Sequence, residues 1–399
     1  MTESEHMRLP DGFLIGAATA AHQIEGENTA SDWWMFEQSK PERLQPSGRA
    51  CDSFHRWGQD MDLLAGAGLQ AYRFSIEWAR IEPVEGEFSA DAVDHYRRMV
   101  AGARERGIEP IVTAHHFTNP AWFTLGGGWL RGDAVDRFTR YLERIAPVLD
   151  EGVDTAITLN EPNMVAIMHR VINGEANLET GLGGAVPLPH EGVRDALIAV
   201  HHAARDQLRA QHRGLAVGWT VANQTVQAVD GGEERAAELS EALDDVWLRA
   251  AADDDFVGVQ AYSRMLVGPE GRVEPAPEAP RTSIGWEYYP EAVGHAIRNT
   301  VAQAPGVPVY VTENGISTRD DAQRIAYTTG ALRAVGSCLA DGLDVRGYLH
   351  WSLLDNFEWG RWEPTFGLIA VDRDHEDFTR TPKPSLTWLG DIARSRQLP

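Results

Sequence analysis

Cysteine is scarce in this chain, since Cys51 and Cys338 are the only two among 399 residues. Two cysteines are too few for a disulfide framework and neither belongs to a CxxC pair, so we expect two free thiols. Histidine pairs occur at 115–116 and 201–202. Adjacent side chains on a strand point to opposite faces, and no carboxylate–histidine spacing completes a zinc set. We therefore expect neither a metal nor a cofactor.

Basic residues and long apolar runs are also in short supply. Lys and Arg number 36 against 59 Asp and Glu, which gives a net charge of −23. A phosphate-binding face needs clustered Lys and Arg, so this charge argues against nucleic acid and anionic membranes as partners. No run approaches the length of a membrane span, and the start "MTESEHMRLPDGF" lacks the layout of a secretion signal. These absences predict a cytoplasmic protein whose partner is a small neutral molecule; they leave its oligomeric state open.

What the chain does have is a series of β-branched and aromatic runs bounded by turn signals, as expected for strands. The eight runs span residues 13–20, 71–76, 109–116, 155–161, 216–224, 256–262, 308–315 and 345–355. Helical periodicity lies between them, for example over 60–69, 91–108 (with Gly107 as its stop) and 193–212. Strands that alternate with amphipathic helices predict a parallel sheet with helices outside.

Eight such units predict a closed (β/α)8 barrel that occupies residues 1–399 as a single domain. A doubly wound open sheet is the second choice, and it is disfavoured because no glycine-rich phosphate fingerprint follows the first strand. The Pro-rich segment 267–283 is predicted to be a long loop after strand six. "GLGGAV", residues 181–186, lacks the Lys-Ser/Thr ending of a P-loop and is predicted to be a flexible entrance loop.

Two predicted strands end in a glutamate. "TAITLNEPN" carries Glu161 before Pro162, which has no amide hydrogen and ends the run, and "PVYVTENGI" carries Glu313 before an Asn-Gly turn. In a (β/α)8 barrel the active site lies at the carboxyl ends of the strands. Both carboxylates should therefore meet at one site.

Other polar and aromatic residues lie at the same predicted strand ends. They are Gln23, Glu25, Arg73, His115, His116, Asn160, Tyr262, Trp351, Glu358 and Trp359. Paired carboxylates suit cleavage of a glycosidic bond, where one acid protonates the leaving oxygen and the other attacks or activates water. Tryptophan faces can pack on the C–H faces of sugars, and the chain has 13 tryptophans.

Several long motifs resemble those of one family, the glycoside hydrolases of family 1, of the β-glucosidase type. They are "FLIGAATAAHQIEG", "YRFSIEWARIEP", "TLNEP", "VTENG", "WSLLDNFEW" and "RTPKPSLTWL", in the family's order over almost the whole chain. The resemblance implies Glu161 as acid/base, Glu313 as nucleophile, and Arg73 and Tyr262 beside the nucleophile. It also implies that the glycone sugar is held by Gln23, His116, Asn160, Trp351, Glu358 and Trp359.

The neighbours implied for the two glutamates lead to opposite expectations for their pKa values. Arg73 and Tyr262 favour the charged form of Glu313, so its pKa should fall. Glu161 faces that charge in a partly desolvated pocket, so its pKa should rise above the ordinary value of about 4.3.

The sequence departs from the family pattern at two strand ends and on the aglycone side. "HHFTNP" stands where a His-Trp-Asp segment is common, and "VQAY" replaces Asn-Tyr-Tyr, with Gln260 and Ala261 as the changed residues. "NQT" at 223–225 is a glycosylation sequon that means little without a secretion signal, and Asn223 is instead a candidate contact for the aglycone. Glu358-Trp359 is retained, which disfavours 6-phosphorylated sugars.

The favoured activity is that of a retaining exo-β-glycosidase, a β-glucosidase with β-galactosidase or β-fucosidase side activity, acting on a small-molecule β-glycoside. A catalytically silent sugar-binding barrel is the alternative from another class, and the presence of Glu161, Glu313 and Arg73 favours the enzyme. Transglycosylation would use the same residues. The sequence does not rank the acceptors.

Overall fold

The computed structural model describes residues 7–175 and 187–399. Its centre is a closed barrel of parallel strands with helices around it, which confirms the predicted (β/α)8 fold. The barrel order is β1-β11-β10-β7-β5-β4-β3-β2. These strands are β1 (Leu14–Ala18), β2 (Ala71–Ser75), β3 (Glu109–His115), β4 (Thr155–Asn160), β5 (Ala216–Ala222), β7 (Phe256–Gln260), β10 (Val309–Asn314) and β11 (Val345–Trp351). Each lies within one of the eight predicted runs.

The barrel closes where β1 meets its two neighbours. β1 pairs in parallel with β11, from Leu14 opposite Gly347 onward, and with β2, from Gly16 opposite Ala71 onward. Gly16 is required at this contact, because a Cβ there would lie 2.0 Å from the carbonyl oxygen of Ala71. Closure leaves the barrel with no free edge strand.

Helices follow the strands and pack around the barrel. They are α1 (Ala21–Ile24), α2 (Asp32–Ser39), α3 (Ser53–Ala67), α4 (Trp78–Ile81), α5 (Ala90–Glu105), α6 (Ala121–Leu125), α7 (Ala134–Leu149), α8 (Pro162–Ile172), α9 (Glu191–Gln211), α10 (Glu233–Ser240), α11 (Val246–Ala250), α12 (Ala292–Gln303), α13 (Asp321–Ala340) and α14 (Pro384–Ser395). The three predicted helical segments fall on α3, α5 and α9. Gly107, the predicted stop, has φ +69° just beyond the end of α5.

Small strands lie outside the barrel. β6 (Val226–Ala228), β8 (Met265–Gly268) and β9 (Gly271–Val273) form one sheet, and β12 (Ile369–Val371) pairs with β13 (Arg380–Pro382). The prediction of an irregular loop over 267–283 is therefore wrong in its first part, because Gly271 (φ +121°) lets the chain turn back into the β8–β9 hairpin. The predicted entrance loop 181–186 lies outside the described residues.

Apolar side chains fill two layers. A small cluster inside the barrel includes Ala71, Ile111, Ile157, Phe256 and Leu349. The large cluster lies between the strands and the helices, where Trp78, Trp219 and Trp247 are fully buried. No helix within the described ranges is long and apolar enough to cross a membrane.

Candidate active site

A cavity of about 1080 Å³ opens at the carboxyl ends of the barrel strands. Most of the residues singled out from the sequence line it, namely Gln23, His116, Glu161, Asn223, Tyr262, Glu313, Trp351, Glu358 and Trp359. Arg73 and Asn160 lie below its floor with no solvent exposure. The parallel register brings these residues together from positions up to 336 apart in the chain.

Glu313, near the end of β10, is held by three donors. Arg73 Nη1 donates to its Oε1 at 2.6 Å and Gln260 Nε2 donates to the same oxygen at 2.9 Å. The Tyr262 hydroxyl donates to Oε2 at 2.6 Å. Because Arg73 is also fixed by Thr113 Oγ1 at 2.9 Å, the guanidinium has little freedom to leave the carboxylate.

Glu161 lies directly after β4, at the entry to α8. Its backbone has φ 45° and ψ 57°, the left-handed region that a residue with a side chain seldom adopts. Its amide donates to the carbonyl and the hydroxyl of Thr220 at 3.1 and 3.2 Å, and Pro162 begins the helix behind it. This sharp turn, of a kind that is frequent at functional sites, places the carboxyl in the cavity.

Asn160 links the donors around Glu313 to His116. Its Oδ1 accepts hydrogen bonds from Arg73 Nη2, from Gln260 Nε2 at 2.8 Å and from Thr220 Oγ1 at 3.0 Å. Its amide nitrogen lies 3.3 Å from His116 Nε2. Burial lowers the pKa of His116 well below 6.5, and the charge of Arg73 lowers it further, so the imidazole is neutral and can accept this bond.

The two glutamates differ in what acts on their pKa values. Burial raises the pKa of Glu161 well above 4.5, and the negative charge of Glu313 adds to that rise. Burial also raises the pKa of Glu313, against the opposing effects of Arg73, Tyr262 and Gln260. The expected fall for Glu313 is therefore wrong in direction, because desolvation outweighs the three donors. The expected rise for Glu161 agrees with the structure.

A second polar cluster surrounds Glu358 on the opposite part of the floor. Gln23 Nε2 lies 3.3 Å from Glu358 Oε2, and Oε1 accepts from Trp351 Nε1 at 3.3 Å and from Asn356 Nδ2 at 3.0 Å. Burial raises the pKa of Glu358 to about 8 in spite of these donors. This cluster can both donate and accept hydrogen bonds toward the hydroxyls of a bound sugar.

Aromatic rings form a wall beside this cluster. The ring of His116 is nearly parallel to those of Trp351 and Trp359, with centroids 5.9 and 6.3 Å apart. Trp359 also stacks on His22, at 5.8 Å and an angle of 5°. Flat, fixed rings of this kind suit contact with the C–H face of a pyranose.

Asn223 lies on the opposite side of the cavity at the end of β5. Its Oδ1 accepts from the Gln260 amide at 3.3 Å. Its Nδ2 is buried and has no hydrogen-bond partner within the described residues. An unpaired amide nitrogen therefore lies in the wall of the cavity.

Two of the strand-end residues do not reach the cavity. Glu25 is buried behind the barrel against Arg80 Nε at 2.7 Å and the Tyr96 hydroxyl at 3.0 Å. His115 points away from its neighbour His116 and bonds Asn119 at 3.0 Å. Neither side chain lines the cavity.

Gln260 was missed as a site residue. In the sequence it stood only as a departure from a family motif. The period of a strand could have found it, because Gln260 lies two residues before Tyr262 and residues two apart share a face. Asn356, which donates to Glu358, lies in an irregular segment where no strand period applies, and only its place in the motif "WSLLDNFEW" marked it.

A parallel (β/α)8 barrel with two glutamates facing one cavity at the carboxyl ends of β4 and β10, beside an arginine and an aromatic wall, defines the class of protein: a barrel glycoside hydrolase. The family model described as glycosyl hydrolase family 1 matches residues 5–267 and 266–398. The chain belongs to glycosyl hydrolase family 1.

Named relatives agree with this assignment over nearly their whole length. A β-glucosidase of Agrobacterium sp. is 31% identical, and the match covers 97% of this chain and 95% of that protein. A bifunctional β-D-glucosidase/β-D-fucosidase of Bifidobacterium breve is 31% identical, and the match covers 96% of this chain and 97% of that protein. The solved structure of a β-glycosidase from Pyrococcus horikoshii is 32% identical and has a TM-score of 0.87. The match covers 99% of this chain and 96% of that one.

Proposed function

We propose that this family 1 hydrolase is a retaining exo-β-glycosidase whose main substrate is a β-glucoside, with side activity on β-galactosides or β-fucosides. The main support for this proposal is that the two glutamates have different hydrogen-bonding and charged neighbours. Glu313 is bonded to Arg73, Tyr262 and Gln260, which favour a carboxylate, whereas the pKa of Glu161 is raised by burial and by Glu313. One group is suited to attack and the other to deliver a proton.

In the first displacement, Glu313 attacks the anomeric carbon and forms a glycosyl ester. The bond to the leaving oxygen breaks, and the proton of Glu161 goes to that oxygen. Ester formation removes the charge of Glu313, so the pKa of Glu161 should drop. Glu161 then takes a proton from water, whose oxygen attacks the anomeric carbon and releases Glu313 as a carboxylate.

We assign the remaining predicted residues to binding and positioning. Arg73, Tyr262 and Asn160 hold the reacting carboxylate and its surroundings. Six residues bind the glycone: Gln23, His116, Asn160, Trp351, Glu358 and Trp359. We assign Asn223, whose Nδ2 has no hydrogen-bond partner among the described residues, to the aglycone side.

The test is hydrolysis of a panel of p-nitrophenyl β-glycosides, with the first sugar anomer observed by proton NMR. We expect release from the β-glucoside with the β-anomer appearing first. Appearance of the α-anomer first would exclude double displacement. A protein that binds the glycosides without releasing p-nitrophenol would be a silent sugar-binding barrel.

A further inference from the structure

One face of α8 presents apolar side chains to the cavity. Met164, Met168 and Ile172 are four residues apart and therefore lie in one row, and all three line the cavity with Val165 beside them. The row starts next to Glu161. At about 1.5 Å per residue the row from Met164 to Ile172 is about 12 Å long and leads along the helix away from that carboxyl.

The segment after β7 adds a second set of apolar side chains to the same cavity. Leu266, Val273, Ile284 and Trp286 line it. Trp286 is held in place by the Thr282 hydroxyl, which accepts from its amide at 3.1 Å. Its ring lies 5.8 Å from that of Tyr262, the donor to Glu313. The apolar lining therefore begins at the reacting carboxylates and continues outward.

The outer residues of this lining are exposed, although their chemistry favours burial. Ile172 is 46% exposed, Trp286 42%, Met35 39% and Val273 38%, and all four line this cavity. In the described parts of the chain the large exposed apolar side chains number eight, so half of them surround one opening. Exposed apolar side chains that gather around one opening indicate a binding site, whereas single scattered ones need no explanation.

One charged pair at this opening is satisfied within the protein. Arg264 donates to both oxygens of Glu287 at 2.8 Å, and its guanidinium lies 4.1 Å above the ring of Tyr289. Their hydrogen-bonding capacity is largely used within the protein. A second sugar that lay against this pair and the apolar lining would lose hydration of its hydroxyls there without gaining a matching set of partners.

We propose that the aglycone half of the cavity takes an apolar aglycone, aryl or alkyl, in preference to a second sugar. This inference rests on the proposed function, because it assumes that the glycone occupies the floor beside Glu358. The methionines of α8 suit such a ligand, since their unbranched and polarisable side chains adapt to irregular apolar shapes.

The test is kcat/KM for ethyl, butyl, hexyl and octyl β-glucosides, kept below micelle-forming concentrations, with cellobiose as the sugar-aglycone substrate. The four alkyl alcohols have nearly the same acidity as leaving groups, so differences in kcat/KM among the alkyl glucosides report the apolar contact of the chain with the protein. Full burial of a methylene corresponds to about a fourfold gain in affinity. In a half-open cleft we expect about twofold per methylene, and a higher kcat/KM for the octyl glucoside than for cellobiose.

Two variants assign the effect to these residues. Met168→Gln keeps the size of the side chain and adds polarity, and Trp286→Ala removes the outer ring; each should lower the gain per methylene by a third or more. Val84→Thr is the matched control, because Val84 is 52% exposed and does not line the cavity. It should leave the series unchanged.

Three results would overturn the inference while the proposed function stood. They are turnover of the alkyl glucosides with no gain along the series, a preference for cellobiose, and an unaltered gain in both variants. Failure to hydrolyse any β-glycoside, 2,4-dinitrophenyl β-glucoside included, would instead overturn the proposed function.

Discussion

Arg73 is buried at the base of the cavity, where it contacts both Glu313 and the side chain of Asn160. A buried guanidinium needs a nearby negative charge, so its presence stabilises one carboxylate of the pair in the ionised form. No arginine in the described part of the chain donates to Glu161, and the pKa of this glutamate is raised first by burial and then by the charge of Glu313. Two residues of one type thus acquire different proton affinities from what surrounds them.

Replacing Glu161 by Ala should damage glycosides with poor leaving groups most. An alkyl alcohol needs a proton to leave, so its hydrolysis should fall by about 10²- to 10⁴-fold, whereas that of a dinitrophenyl glycoside should fall far less in the first step. The acid must be protonated, so wild-type kcat/KM should fall as pH rises through the raised pKa of Glu161. The variant should lose this alkaline limb.

The check is kcat/KM against pH for both substrates in wild type and variant. Equal losses for the two leaving groups, or an alkaline limb that persists in the variant, would show that Glu161 is not the acid.

Gln260 should act on the acidic limb of the same profile. Its Nε2 donates to Glu313 at 2.9 Å, which favours the ionised form of that glutamate. Without this bond the pKa of Glu313 should be higher, so activity should be lost at a higher pH as the solution is acidified. In Gln260→Ala we expect the acidic midpoint to rise by about one pH unit, from a charge-assisted hydrogen bond of about 1.5 kcal/mol.

Gln227→Ala is the matched control for this measurement, because Gln227 bonds Arg264 and Tyr289 rather than either glutamate and does not itself line the cavity. A folded Gln260→Ala protein with the wild-type acidic midpoint would contradict a positioning role.

The sequence predicted those site residues that recurrent motifs mark, and it failed where a contact depends on three-dimensional detail. The position of Glu161, Glu313, Arg73 and Tyr262 at the cavity was predictable, because Arg73 and Glu313 lie within barrel strands and Glu161 and Tyr262 follow one and two residues after the ends of theirs. The sign of the Glu313 pKa shift was not, because it depends on how completely the cavity floor is desolvated.

At the scale of elements, the barrel strands were predictable because each is buried on both faces. Helices cover the outer face and side chains inside the barrel cover the inner face, so each strand is a nearly continuous apolar run. β8 and β9 were not, since they are four and three residues long and lie in a segment rich in Gly and Pro. Short strands of this kind form through pairing rather than through their own sequence pattern.

The hairpin β12–β13 is fastened to α3 by a buried ion pair. Arg380 Nε donates to Asp60 Oδ1 at 2.8 Å, and neither side chain is exposed. Asp60→Ala would leave the guanidinium buried without its partner, and we expect a loss of about 3 to 5 kcal/mol in the free energy of unfolding by urea.

The double variant Asp60→Ala with Arg380→Met removes both charges and should recover part of that loss. A single variant within about 1 kcal/mol of wild type would contradict the importance of this pair.

At the scale of the whole molecule, one apolar cluster includes residues from Leu9 to Leu398. It contains side chains from all eight barrel strands and from the helices around them. We therefore propose that residues 1–399 form a single folding unit. Calorimetry and intrinsic tryptophan fluorescence should give one coincident unfolding transition. Two separated transitions would indicate independent domains.

The most direct test of the proposed chemistry is to trap the glycosyl ester. A 2-deoxy-2-fluoro β-glucoside with a dinitrophenyl leaving group slows hydrolysis of the intermediate, so the protein should gain the mass of one fluoroglucosyl group. Peptide mass spectrometry should then place it on Glu313, in "VTENG". An adduct on another residue would reassign the nucleophile, and burst-free turnover of this substrate with no adduct would contradict a covalent intermediate.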